Sequence, residues 1–574
     1  MSAPVADPST VSWEPPGAGF WEWQGSHLPG MPTPIYGAAH LYALPVAMER
    51  MFLRYGVPLR TLEERLVNGR LYASLAPLGR AGAAPPPRPI LWLAGRLHPE
   101  LRRRNRVAAR ALADRIWRAR TVEWTTTLRP ALRAGNRALQ SEDLAAMDDA
   151  GLADHVRRAH TNVVDGHLLH FDLHGDDMGP LGLYLAACRD WGITPGDALA
   201  ALAGHSPSTT AAVDALRTVE AAVDASDADL TRPPTTLAGL RALGPGVASA
   251  LDDYLDEYGW RVVTGYDLDA KTVGELPEVL VANVLSLPAD RARETAAQGD
   301  AAADVLRARV PAGELARFEE RLAEARVALD LRDDNGPMTV EWPVGLLRRA
   351  LLEVGRRGVA RGALGEPDHA LELTFDEVLA VLAGEEGPGA ARVRDRAAAR
   401  AAASAVVPPG TLGRAFEPPD ISAFPRPLAM VTDMAMTCVA LLERDDPTAA
   451  GAARSATPTP PADAVGTGTG IGVTVCTGRA RVARTPDEAL TRLEPGDVLV
   501  VPFTTPAYNA VLAMAGGLVT EQGGPLSHAA VLARELDLPA VVGVADALAT
   551  IGDGAEVEVD PAAGTVRVLS PSRR

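Results

Sequence analysis

Residues 517–536 read GLVTEQGGPLSHAAVLAREL: an apolar β-prone run, a paired glycine, a helix N-cap and an amphipathic run in immediate succession. That order leaves little choice of local fold. GLVTEQ predicts a strand, and Ser527, a good N-cap, predicts a helix over 528–536. Gly523 and Gly524 permit backbone angles and close approaches that a side chain would block. His528 therefore stands at the start of a helix. Free N–H groups and the positive end of the helix dipole favour a phosphate dianion there and disfavour imidazolium, leaving a neutral ring able to attack phosphorus. Gly523, Gly524 and Ser527 are the expected phosphate-binding residues and His528 the expected catalytic one.

Around this stretch, β-rich runs at 472–478 and 497–503 alternate with helix-like runs at 486–493 and 507–515, which predicts an α/β domain over 471–574. Residues 446–470 are rich in Ala, Gly, Pro and Thr without apolar periodicity and read as a flexible linker. Within 1–445, segments such as PAGELARFEERLAEARVALDL and PVGLLRRALLEVGRRGVARGAL space their apolar residues by three and four. The expected fold is thus multidomain, a large mainly α-helical substrate domain over 1–445 followed by the C-terminal α/β domain. Pro-rich breaks near 84–89 and 408–419 leave two smaller helical domains as the alternative.

A formal charge of −17 argues against nucleic acid and anionic membrane as partners. No apolar run approaches the ~20 residues of a membrane span, and the N-terminus has no basic-then-apolar pattern, so a cytoplasmic location is expected. Three widely spaced cysteines indicate neither a disulfide framework nor a cysteine zinc site. Lys271 is the single lysine, and no GxxxxGK[ST] phrase occurs, so the usual lysine of an ATP site is missing.

The run Gly523, Gly524, His528, Ala529, Ala530, Val531, Leu532, Ala533, Arg534 resembles the phosphohistidine swivelling domain of the phosphoenolpyruvate-utilising enzymes, a group that includes pyruvate phosphate dikinase, phosphoenolpyruvate synthase and rifampicin phosphotransferase. Leu526 departs from the threonine usual in the dikinases and synthases, so their regulation at that position is not implied. Further phrases are similar to the substrate-binding region of rifampicin phosphotransferase: Trp21, His27 and Pro32-Thr33-Pro34; Val67-Asn68-Gly69 with Tyr72; Tyr258-Gly259 with Arg261, Asp267 and Leu268; and residues 362–378. Trp260 stands where the related phrase has histidine, and Arg332-Asp333-Asp334-Asn335-Gly336 keeps the arginine of an "REYxK"-like phrase without its lysine. The resemblance implies phosphoryl carriage on His528, a phosphate contact from Arg332, and pocket roles for His27, Trp260 and Arg261. It shows no counterpart of the ATP-grasp domain that charges the histidine. ATP and Mg²⁺ are therefore expected to act through an ATP-grasp partner, with no cofactor held tightly by this chain.

His160, His167 and His174 recur at seven-residue spacing with His170 between them, close to Asp172, Asp176 and Asp177. On a helix all four imidazoles share one face. His167, His170 and His174 are candidates for a polar lining of the substrate pocket, with one acting as base toward a substrate hydroxyl; a metal site and plain interior histidines are the other readings, and no HExxH phrase favours a metal. The resulting expectation is a phosphotransferase-like module acting on a hydroxyl-bearing small molecule. The alternatives are a dehydratase, with or without phosphorylation of the leaving hydroxyl, and a non-catalytic ligand-binding descendant.

Overall fold

The computed structural model describes residues 12–25, 27–226, 230–285, 287, 292–406, 408–415, 417–442, 464–472, 474–484, 486–504, 508–512, 514–525 and 527–571. They pack as two units: residues 1–176, 265–270 and 335–433 in the first, and 177–264, 271–334 and 434–574 in the second. The division falls inside the segment expected to be one helical domain, so part of that segment packs in the same unit as the C-terminal α/β domain. Among the described residues no helix is long and apolar enough to cross a membrane.

The first unit is mainly helical but contains a sheet that the sequence reading did not anticipate. Strands β1 (Phe20–Trp23), β2 (Leu59–Val67), β3 (Arg70–Pro77) and β4 (Thr411–Gly413) pair antiparallel in the order β2-β3-β1-β4. Asn68 (φ 49°) and Gly69 (φ 78°) form the two-residue turn between β2 and β3, with Val67 opposite Arg70. Positive φ at both positions is what a tight hairpin turn needs to match strand twist. Trp21, Tyr72 and Leu412 form the buried face of this sheet.

Helix α1 (Pro34–Tyr55) opens on a proline, whose missing N–H costs nothing at that position, and stops at Gly56 in the left-handed region. The backbone N–H of its N-cap, Thr33, donates to Asp267 Oδ2 at 2.7 Å. α2 (Arg88–Leu97) and α3 (Pro99–Asp114) follow, joined through His98. α4 (Asp149–Asp172) is capped by Asp148, which accepts from Gly151 N at 2.7 Å, and α5 (His174–Asp190) comes directly after it. α4 packs against α1, against the π-helical turn Pro337–Glu341 and against the helix Trp342–Ala360. The approach is close at Gly166, where a Cβ would meet Thr339 O at 2.1 Å.

In the second unit, Phe318, Leu322, Ala325 and Leu329 of the helix Leu315–Gly336 pack with Leu181, Tyr184, Ala198 and Leu199. A second cluster joins Leu216, Val219, Val247 and Leu251. The C-terminal α/β domain is built on eight strands in the order β5-β12-β11-β7-β8-β9-β10-β6. β7 (Cys476–Val482), β8 (Val498–Val501), β9 (Gly517–Thr520) and β10 (Ala540–Val542) are neighbours in parallel, and the other strands, among them β11 (Glu556–Asp560) and β12 (Thr565–Ser570), add antiparallel. β8 and β9 are buried on both faces, as the continuous apolar runs VLVV and GLVT require. Residues 446–463 of the expected linker lie outside the described residues; 464–467 and 469–471 form strands β5 and β6.

Candidate functional site

Chemistry-bearing residues gather in two places, one in each unit. In the second unit β9 runs into the glycine pair, and the helix His528–Glu535 begins with His528 at its first position. Ser527 is the N-cap with an extended backbone, and its Oγ accepts from Ala530 N at 3.4 Å. Gly523 has φ 115°, and a Cβ on it would meet Ser527 Oγ at 2.8 Å, so only glycine fits beside the cap. Gly524 is buried, and its carbonyl accepts from Ser527 N at 2.9 Å. Gly523, Gly524 and Ser527, three of the four expected phosphate-binding residues, thus precede the histidine helix directly in the chain.

Arg534 closes that segment from below. Its guanidinium donates to Pro525 O at 2.6 Å, tying the helix's last turn to the loop that precedes its first. Burial is the main cause that lowers its pKa to about 10, and Arg332 adds to the same effect. Next to it Glu535, only 6% exposed, accepts from Gly204 N at 3.1 and 3.2 Å. Burial raises its carboxyl to about 7, and nearby Asp333 pushes the same way. Val531 faces a crevice lined by Leu199, Leu202, Ala203 and Leu329, so the histidine helix is seated on the helical part of the unit. Asp333 accepts from Ser206 Oγ at 2.6 Å and Thr209 Oγ1 at 2.5 Å. Arg332 is within electrostatic reach of Asp333 and of the Arg534 guanidinium, which itself lies at Pro525 in the entry loop.

Trp260 and Arg261 also belong to the second unit. Arg261 lies over the Tyr258 ring at 4.5 Å and reaches Glu257 at 3.3 Å.

The remaining expected pocket residues belong to the first unit, and there the structure brings them together. His167 and His170 lie on α4, His174 begins α5, and His27 precedes α1. The His170 and His174 rings are 4.8 Å apart, and His170 Nδ1 is 3.3 Å from Thr339 Oγ1. His27 is exposed and packs on Tyr266 at 6.1 Å. His167, 1% exposed, has Nδ1 2.8 Å from Val163 O, which fixes the proton on that nitrogen. Burial lowers its pKa to about 3 with help from His40, and burial likewise holds His170 well below the usual value with His174 and His167 beside it. Both rings are neutral at ordinary pH. His160 stands apart, stacked on Phe375 at 4.3 Å.

Three members of this cluster, His40, Tyr36 and Glu64, were missed by the sequence reading, and a fourth, Asp267, was named there only within a similar phrase. His40 packs edge-on to His167 at 5.9 Å, and its Nε2 is 3.1 Å from Glu64 Oε2. Tyr36, one helical turn before His40, stacks on it at 5.7 Å, and burial raises its hydroxyl pKa well above the usual value. Asp267 is pushed up to about 7 by burial and by Asp269 while it caps Thr33. A Tyr-x-x-x-His spacing in a helix opened by proline was the available signal for Tyr36 and His40; nothing local marks Glu64, which reaches the cluster from a strand. Asp172 and Asp176 are engaged by Arg54 and Arg120 instead of by imidazoles. Among the described residues no three His, Cys, Asp or Glu are grouped to hold a metal ion.

Comparison with known proteins bears on both places. Residues 493–564 match the PEP-utilising enzyme mobile domain, and residues 182–333 match the rifampicin phosphotransferase fourth domain. The chain is 30% identical to a rifampicin phosphotransferase of Streptomyces sviceus over 57% of this chain and 35% of that protein. It is 28% identical to chondramide synthase of Chondromyces crocatus over 97% of this chain and 14% of that protein. A phosphoenolpyruvate synthase of Aeropyrum pernix is 47% identical over 16% of this chain and 11% of its own length. The chain thus spans about a third or less of the curated relatives it matches. It joins a region matching the mobile domain of the phosphoenolpyruvate-utilising enzymes to one matching the rifampicin phosphotransferase fourth domain.

Proposed function

We propose that the chain is a phosphotransferase-like module in which His528 carries a phosphoryl group to a hydroxyl of a small molecule. The observation that carries this reading is the backbone at 523–528: a glycine turn, a capping serine and a histidine at the first position of a helix, within a matched mobile domain. Free N–H groups at that end suit a phosphate on His528. In the first half-reaction a P–O bond of ATP breaks as a ring nitrogen of His528 bonds to phosphorus, and the remainder of the nucleotide leaves; ATP and Mg²⁺ are supplied by an ATP-grasp partner. In the second, the P–N bond breaks, the substrate oxygen bonds to phosphorus, and the hydroxyl proton passes to a base. The neutral imidazoles of the first unit are the base candidates, since burial keeps their lone pairs free of protons.

The same buried imidazoles favour a second reading, dehydration, in which a neutral histidine removes a proton while the hydroxyl, free or phosphorylated, departs. The two readings share the first test. The protein is incubated with ATP and Mg²⁺, alone and with an ATP-grasp protein encoded beside it, and analysed by intact mass and acid lability. An acid-labile phosphate adduct in the wild type that is absent from His528→Ala supports carriage. No adduct under either condition overturns it and leaves phosphate-independent dehydration or ligand binding.

A further inference from the structure

Residues 88–137 hold thirteen arginines against three acidic residues, in a chain whose formal net charge is −17. The positive charge is concentrated on consecutive helices of the first unit. α3 turns Arg104, Ala108 and Ala111 inward. Arg102, Arg106 and Arg110 recur every fourth residue on its other side, all exposed. Arg103 and Arg104 are paired with Glu100, whereas Arg102, Arg106 and Arg110 have no ion-pair partner among the described residues.

α2 adds an apolar stripe directly before them. Leu91 and Gly95 face inward, while Ile90, Leu93 and Leu97 are 55%, 50% and 62% exposed at spacings of three and four. Trp92 is 49% exposed with the Arg96 guanidinium 4.1 Å above its ring. Leaving such a stripe in water forfeits about 25 cal/mol for each Å² that a partner would cover. A solvated arginine face alone needs no apolar neighbour, so the pair of features asks for a partner that answers both.

We propose that α2 and α3 form a docking surface for an acidic amphipathic helix of a partner protein. Its apolar residues lie on Ile90, Leu93 and Leu97, and its carboxylates meet Arg102, Arg106 and Arg110. Charge complementarity selects the occupant. A nucleic acid backbone would use the arginines and leave the apolar stripe wet. An anionic membrane would be repelled by the negative remainder of the chain, which outweighs this segment. An acidic helix satisfies the arginines by charge and the stripe by burial, the combination seen when helices dock into apolar surfaces with charged rims.

The test uses fluorescence anisotropy with a labelled helical peptide of about eighteen residues, Glu on one face and Leu on the other, at about 50 mM and about 300 mM salt. A scrambled peptide of equal charge, a DNA duplex and phosphatidylserine vesicles are run alongside. The proposal expects the amphipathic peptide to bind wild type at least about tenfold tighter than the scrambled one. Binding should fall by a similar factor in Arg102→Glu/Arg106→Glu/Arg110→Glu and, separately, in Leu93→Ser/Leu97→Ser, with unchanged circular dichroism in both. Equal binding of the scrambled peptide, preference for duplex or vesicles, or indifference to either variant overturns it.

Discussion

At the scale of single residues, the positions that matter most are those where a side chain is forbidden or where one bond spans two segments. Gly166 is the sharpest case of the first kind: a Cβ there would meet the Thr339 carbonyl at 2.1 Å, and a backbone atom cannot rotate away. Gly166→Ala is expected to cost about 2 kcal/mol through forced separation of α4 from the π-helical turn. The measurement is urea unfolding, and a variant as stable as wild type would show that the two segments are not held at this distance. Arg534 is the second kind. Arg534→Met removes the donor to Pro525 O and should destabilise by about 1–3 kcal/mol, the cost of a buried carbonyl left unpaired. Because the loop it ties down leads into His528, phosphohistidine formation should slow several-fold in a variant that still folds; an unchanged rate would reduce Arg534 to a packing role. The sequence marked Arg534 only as part of a resemblance. Its contact spans nine residues and depends on the helix folding back under its own entry loop, which no local pattern reveals.

Elements were legible where periodicity was long or where cap and strand signals met. The strands expected at 497–503 and 517–522 and the helix expected at 528–536 appear as Val498–Val501, Gly517–Thr520 and His528–Glu535. The sheet of the first unit was not read, although its turn is written in the sequence as Asn68-Gly69. The strands on either side, LRTLEERLV and RLYASLAP, carry charged residues that blur alternation, and β1 and β4 are four and three residues long. Long-range pairing between residues 20–22 and 411–413 completes the sheet, and no window of sequence contains it. The histidine stripe was legible for the same reason the strands were not: His167, His170 and His174 fall within eight residues, whereas Glu64 and Asp267 join them through tertiary packing. The hairpin offers a direct check. Gly69 has φ 78°, and a Cβ on it would meet Met31 Sδ at 2.9 Å, so Gly69→Ala should lower stability by about 1 kcal/mol. Chemical denaturation reads this, and an equal or stabilised variant would contradict the left-handed turn.

Across the molecule, the buried titratable groups divide by sign of pH dependence. His167, lowered to about 3, stays neutral in the fold while an unfolded histidine protonates near pH 6.5. Its stabilising contribution is present above that value and is lost as pH falls toward 3. Asp267 in the same unit, raised to about 7, acts oppositely: its contribution is full below the ordinary carboxylate range and is lost as pH rises to 7. Between about pH 4 and 6.5 the two partly cancel. The second unit is arranged otherwise. Glu535, raised from 4.5 to about 7, is flanked by Asp333, whose pKa burial also raises, and by Arg534 and Arg332. His205, lowered and half-exposed beside Asp300, opposes weakly. The seating of the histidine helix on Gly204 should therefore be firmest below about pH 4.5 and weaken as pH rises through 7. By linkage the loss approaches about 3 kcal/mol, at 1.36 kcal/mol per pKa unit. Glu535→Gln keeps an acceptor for Gly204 N–H but cannot ionise. Thermal unfolding of wild type should fall between pH 5 and pH 8, and the variant's should fall distinctly less; parallel curves would mean that Glu535 ionises without leaving its partner. The ionisation of one buried carboxyl thus sets, near neutral pH, how firmly the histidine helix is held on Gly204.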